Sequence, residues 1–253
     1  MEAVFGFLIA TIIAMTGAGG GTLAVPVLVL ICGLPTVEAV GTSMVFATIV
    51  KFVSAPAYIL RRQFSAATLI KLLAGGLPGV LAGALLLSGL NARRLEPAVL
   101  TIVGGTTAVM ALASLGRLRK GDASALKRDR SHWLPWVALP IGLEVGFSSA
   151  GAGALGGIAL LSLTPLTASV IVGTDLLFGL GLSTAGGGLH LALGNVNGPL
   201  VVRLVAGGVA GALAGPWLAP RVPARTMRAV LSLMLSILGA QLFCRGVAAL
   251  VHL

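Results

Sequence analysis

Residues 72–86 read LLAGGLPGVLAGALL and residues 204–218 read LVAGGVAGALAGPWL. At a displacement of 132, Leu72, Ala74, Gly75, Gly76, Gly79, Leu81, Ala82, Gly83 and Leu86 recur as Leu204, Ala206, Gly207, Gly208, Gly211, Leu213, Ala214, Gly215 and Leu218. The same displacement carries Val40-Gly41-Thr42 onto Val172-Gly173-Thr174, and Gly19 with Gly21 onto Gly151 with Gly153. Apolar composition produces scattered matches, but one constant displacement joining three separated regions signals duplication of a unit.

The composition says what solvent that unit lives in. Of 253 residues, 57% are hydrophobic and only 9% charged, and the mean hydropathy is +1.05. Too few polar side chains remain to cover a water-soluble surface, so hydrocarbon is the main solvent. Thirty-six glycines with few aromatics suit closely packed membrane helices, and long apolar runs do not suit a β-barrel. Six intervals, 37–60, 67–88, 95–115, 169–191, 199–219 and 227–249, are long enough to cross about 30 Å of hydrocarbon at about 1.5 Å per residue. Two others, 2–33 and 133–164, are split by glycine-rich sequence into short apolar pieces, which predicts pairs of half-helices meeting inside the membrane. The expected fold is an all-α polytopic membrane protein. It has a first repeat over 1–115, a basic loop over 116–132 and a second repeat over 133–253.

Charge sets the expected orientation. The net charge of +10 is concentrated in part at Arg117, Arg119, Lys120, Lys127, Arg128 and Arg130, in an interval whose acids are Asp122 and Asp129. That is the pattern of a cytoplasmic loop rather than of a nucleic-acid surface. If each broken interval is re-entrant, each half has three crossings and the halves are inverted. Arg61, Arg62, the 117–130 cluster, Arg221, Arg225 and Arg228 then all face the cytoplasm, leaving Arg93, Arg94 and Arg245 outside with both termini. If each crosses once, there are eight spans in parallel repeats and the Arg221–Arg228 cluster moves outside, a poorer distribution. The inverted arrangement is the expected one. The start, with Glu2 in place of a basic region, reads as part of the membrane domain rather than a cleaved signal.

A permeant site is expected at the glycine breaks. Gly17-Ala18-Gly19-Gly20-Gly21, followed by Thr22 and Pro26, would leave amide N–H groups unpaired at a half-helix N-terminus, where the helix dipole favours an anion. Ser148-Ser149-Ala150-Gly151-Ala152-Gly153 is the partner break; close helix packing is the plainer reading of both. Thr42 and Thr174 either donate to a permeant or satisfy a carbonyl of their own helix. Ser43 is replaced in the second repeat by Asp175, a carboxylate inside an apolar span. Such a group is costly unless paired, hydrated or protonated, so Asp175 is a candidate for proton coupling or gating, with a structural salt bridge as the alternative. Lys51 and Glu144 are further intramembrane charges that either join a polar passage or pair internally. Lys71 and Arg203 are equivalent cations, read as entrance groups for an anion or as snorkelling side chains. His190 is read as an interfacial histidine or a proton relay near a mouth.

The remaining signals exclude other classes. Cys32 and Cys244 are isolated, and no histidine cluster makes a metal site. No phosphate-binding Walker sequence or dinucleotide fingerprint is present, so no cofactor is expected, and no compact catalytic constellation argues for an enzyme.

The Gly-rich segment with Pro26, followed by Glu38-Ala39-Val40-Gly41-Thr42-Ser43 and later Gly173-Thr174-Asp175, resembles the TauE/SafE family of membrane transport proteins along almost the whole chain. The resemblance implies movement of small sulfur-containing anions, such as sulfite or organosulfonates, across the bacterial cytoplasmic (inner) membrane. A secondary transporter working by alternating access, with protons as a coupling partner, is the expected function, and a passive anion channel is the alternative. The glycine ridge at Gly75, Gly76, Gly79 and Gly83 and its copy are expected to pack the two halves together, with a homodimer seam as the other use.

Overall fold

The computed structural model describes residues 2–16, 20–89, 129–149 and 152–218, with isolated positions between 101 and 109 and between 221 and 248. Most of the expected spans 95–115 and 227–249, and the basic loop 116–128, lie outside the described residues.

Eight α-helices and one 3-10 turn make up the described segments: α1 (Glu2–Thr16), α2 (Gly20–Leu30), α3 (Thr36–Leu60), α4 (Ala66–Gly89), the turn Ser131–Trp133, α5 (Leu134–Ser148), α6 (Ala152–Leu163), α7 (Ala168–Ala192) and α8 (Gly198–Leu218). No strand occurs among the described residues. Adding 132 to the start of each of the first four helices gives the start of each of the last four. The duplication read from residue matches at one displacement is thus also a duplication of helix boundaries. Helices α3, α4, α7 and α8 are long and apolar enough to cross a membrane. The 15 residues of α1 and 11 of α2 span only about 22 Å and 16 Å, so each broken interval is indeed two short helices.

Cross-repeat contacts hold the bundle together. Helix α4 packs most extensively on α5, and α1 on α8, while α3 and α7 cross at the centre. A Cβ on Gly75, Gly79 or Gly83 would overlap the carbonyls of Pro135, Leu139 and Leu143 in turn. In the other seam Gly207 meets Ala3, Gly211 meets Phe7, and Gly215 meets Thr11 and Ala14. Both seams therefore run with their helices in the same direction. Glycine lets the backbones approach closely enough for Cα–H···O contacts worth about 0.5–1 kcal/mol each. The glycine ridge packs the two halves of one chain.

The central crossing has the opposite sense, with Gly41 against His190, Met44 against Gly186 and, further along α3, Tyr58 against Gly173. Phe46 and Phe178, equivalents in the repeat, are fully buried there and fill the spaces left by Gly208 and Gly76. Phe52, Ile70, Leu85, Trp136, Val202 and Trp217 are exposed on the outside. An apolar exterior of this kind suits lipid contact.

The turns show one difference between the copies. Gly194, between α7 and α8, has φ +75°, and its equivalent between α3 and α4 is Arg62 at φ 52°. The left-handed conformation costs a side-chain-bearing residue roughly 1 kcal/mol, so the first turn is strained where the second is not.

Candidate functional site

The two breaks come together. Gly21, in the first turn of α2, packs on Ser149 so closely that a Cβ would overlap the Ser149 carbonyl and hydroxyl. Ser149 ends α5 in a left-handed conformation, φ 59°, with its N–H donating to the Val145 carbonyl at 2.7 Å. Its hydroxyl receives a 2.8 Å hydrogen bond from Ser43 Oγ on α3, which also lies 2.9 Å from the Val40 carbonyl. Sites where a non-glycine residue holds a sparsely populated backbone state are often functional ones. Gly20, at the start of α2, and Gly153, in the first turn of α6, belong to the same pair of half-helix N-termini. Gly19 and Gly151 lie outside the described residues, as does the side chain of Thr22.

Thr42 and Thr174 each hold a turn of the opposite repeat. Thr42 Oγ1 accepts the Asn197 N–H at 2.9 Å, and Thr174 Oγ1 accepts the Ser65 N–H at 3.0 Å. Gly41 and Gly173 sit against the carbonyls of Asn195 and Gln63. Each Gly-Thr pair thus clamps the helix-connecting turn of the opposite repeat: glycine admits the turn, and threonine caps a backbone donor that would otherwise be lost. Asn197 strengthens one clamp by donating from Nδ2 to Glu38 at 2.9 Å and accepting the Leu200 N–H at 3.1 Å.

The charged groups separate into engaged and unengaged ones. Glu144 Oε1 accepts the Ser148 hydroxyl at 2.9 Å along its own helix. Lys71 Nζ donates to Ser131 Oγ at 2.7 Å, beside a surface cavity of about 480 Å³ lined by Asp129, Arg130, His132, Trp133, Val137 and Leu163. There the Ser131 N–H and hydroxyl hold the Asp129 carboxyl below its ordinary range. Arg203, an exposed side chain, pairs with Glu2 at 3.2 Å. Lys51 and Asp175 differ: each is only 2% exposed. Asp175 Oδ1 has no hydrogen-bond partner and lies against Gly156 of α6.

His190 is fully buried on α7, with neither ring nitrogen in hydrogen-bonding geometry. Its equivalent is Tyr58, whose hydroxyl donates to the Ala14 carbonyl at 2.7 Å near the end of α1. The ring faces Gly146, the equivalent of Ala14, without closing a well-formed bond. Tyr58 and Asn197 drew no notice as sequence, although the repeat offered a signal for the first: 58 and 190 are both polar positions inside apolar helices.

Comparison with known proteins agrees with the fold and composition. The chain is 27% identical over 220 residues to a Bacillus subtilis (strain 168) protein named "Probable membrane transporter protein YjnA", a match covering 81% of this chain and 84% of the relative. No solved structure matches. The family model described as "Sulfite exporter TauE/SafE" matches residues 3–242. A match of that extent, on a chain with four membrane-length apolar helices, makes this protein a member of the TauE/SafE family of membrane transporters.

Proposed function

We propose that the chain is a secondary transporter for a small, sulfur-containing anion such as sulfite or an organosulfonate, working by alternating access across the bacterial cytoplasmic membrane. The observation that carries the reading is the junction of the two breaks, where Gly21 packs on Ser149 and Ser149 is bonded to Ser43. Half-helix N-termini meeting inside a bundle present amide donors and positive dipole ends to an anion, and serine hydroxyls add to them. Gly19, Gly20, Gly21, Ser43, Ser149, Gly151 and Gly153 form the proposed binding region, with Thr22 beside it. Lys51 and Asp175 supply its charges, and Thr42 and Thr174, besides clamping the turns, keep a hydroxyl hydrogen to donate.

The proposed architecture is two inverted units, 1–115 and 133–253, joined by the basic segment 116–132. Support comes from helix directions. Helix α1 runs with α8 and α4 with α5, whereas the equivalent helices α3 and α7 run against each other. The hydrogen bond from Tyr58 to Ala14 sets the end of α3 beside the end of α1, so both helices point the same way. With only residues 31–35 joining α2 to α3, α1 and α2 then enter and leave on one side as a re-entrant hairpin. Rocking of one unit against the other around such a midplane site is the expected motion.

The test is flux into proteoliposomes of sulfite, thiosulfate, sulfate and short sulfonates. Accumulation against a gradient, weakened by Gly21→Ala, supports the reading. Purely downhill conductance identifies a channel, and absence of any anion flux refutes transport.

A further inference from the structure

Lys51 of α3 and Asp175 of α7 are almost wholly buried opposite charges on the two helices that cross at the centre. They nevertheless stop short of an ion pair, since the one ion pair among the described residues joins Arg203 to Glu2. On the helix of Asp175 itself, Thr174 Oγ1 accepts the Ser65 N–H, and Ser183 and Thr184 donate to the Leu180 carbonyl. Among charged groups on the helices packed around it, Glu38 of α3 accepts from Asn197, Lys71 of α4 is turned to Ser131, Glu144 of α5 to Ser148 and Glu2 of α1 to Arg203, while α6 carries none. Asp175 Oδ1 is left facing Gly156 with no donor.

The repeat supplies an internal comparison. Displacement by 132 takes Lys51 to Ser183 and Asp175 to Ser43, so the second location has two buried serines where this one has two opposite charges. The charges are a matched set. A buried ion without full compensation costs several kcal/mol, so such a pair is a poor structural staple. Loosely held charges of this kind are better suited to exchanging partners.

We propose that Lys51 is the counter-charge of the transported anion and that Asp175 takes that place when the site is empty. A singly charged anion then binds together with one proton. The inference rests on the anion-transporter reading and deepens it. The arriving anion takes over the Lys51 ammonium, the displaced Asp175 carboxylate accepts a proton from solution, and the site stays neutral throughout. A divalent anion would leave a full negative charge uncompensated in a low-dielectric interior, so the site selects monoanions.

Calorimetric titration of the purified protein with methanesulfonate, a monoanion at every accessible pH, reads the proton count directly when repeated in two buffers of different ionisation heat. At pH 7 the expected result is uptake of about one proton per methanesulfonate bound, with sulfate binding weaker by roughly tenfold or more. Asp175→Asn should keep binding and lose the proton uptake. Lys51→Met should lose binding, with Lys51→Arg retaining it as the folded control. Binding without proton uptake, uptake unchanged in Asp175→Asn, or no anion binding to the folded wild type would each overturn the proposal. Proteoliposome flux of methanesulfonate separates the two readings: proton-linked binding without any flux defeats the transporter and leaves the exchange of partners standing.

Discussion

Alanine at Gly79 tests whether the glycine seams hold the two repeats together. The new Cβ would overlap the Leu139 carbonyl and come within 2.9 Å of the Leu143 nitrogen and 3.2 Å of the Gly142 carbonyl carbon. All of these are backbone atoms of α5, so no side chain can swing away, and α4 and α5 must part by about 1 Å to restore ordinary contact. Overpacking of this kind costs about 1–3 kcal/mol, against which the better helix propensity of alanine returns at most about 1 kcal/mol. The neighbouring contacts at Gly75 and Gly83 weaken as the helices part, so the net loss should fall near 1–2 kcal/mol. Gly211→Ala, which meets Phe7 and Thr11 in the other seam, should cost a similar amount, and the two losses should add because the seams are separate. Gly188→Ala is the control, since nothing lies within 4 Å of its Cβ position; it should be neutral or stabilising by up to about 1 kcal/mol. Reversible denaturant unfolding of the protein in detergent micelles measures all four variants. Wild-type stability in Gly79→Ala and Gly211→Ala, or equal damage from Gly188→Ala, would refute the seam as the source of cohesion.

Thr42→Val and Thr174→Val each strand a turn N–H and should cost about 1–3 kcal/mol by the same unfolding measurement, with Thr42→Ser close to wild type. Arg62→Gly should stabilise the protein by up to about 1 kcal/mol, because it relieves the left-handed backbone that Gly194 adopts freely in the second copy. Tyr58→Phe removes the hydroxyl that ties α3 to the end of α1 and should cost about 0.5–1.5 kcal/mol. Glu2→Gln should change stability by less than about 1 kcal/mol, because its partner Arg203 is exposed.

The repeat was readable in the sequence because a helix boundary is a local event: apolar runs, glycine breaks and prolines act within a few residues, and both copies carry them at one spacing. The ridge of Gly75, Gly79 and Gly83 also pointed to its use, since a stripe of small residues has little function other than close approach. Thr42 was harder, because its partner, Asn197, is 155 residues away and no local feature distinguishes a threonine that caps a distant turn from one that faces a passage. His190 stood out only as a polar residue beside the run 194–198; its full burial follows from the packing of α7 and that turn on Gly41 of α3, a contact between the repeats. Asp175 and Lys51 stood out singly as intramembrane charges. Their relation depends on the crossing of α3 and α7, which periodicity within either helix does not encode.

The account depends most on the two units lying in opposite orientations. Ala66 and Gly198 are equivalent positions, both exposed, at the starts of α4 and α8. With Cys32 and Cys244 replaced by serine, Ala66→Cys and Gly198→Cys can be labelled in turn by a membrane-impermeant thiol reagent on intact cells and on inverted vesicles. Inversion predicts that position 66 reacts from the cytoplasmic face alone and position 198 from the outer face alone. Labelling of both from the same face would contradict it.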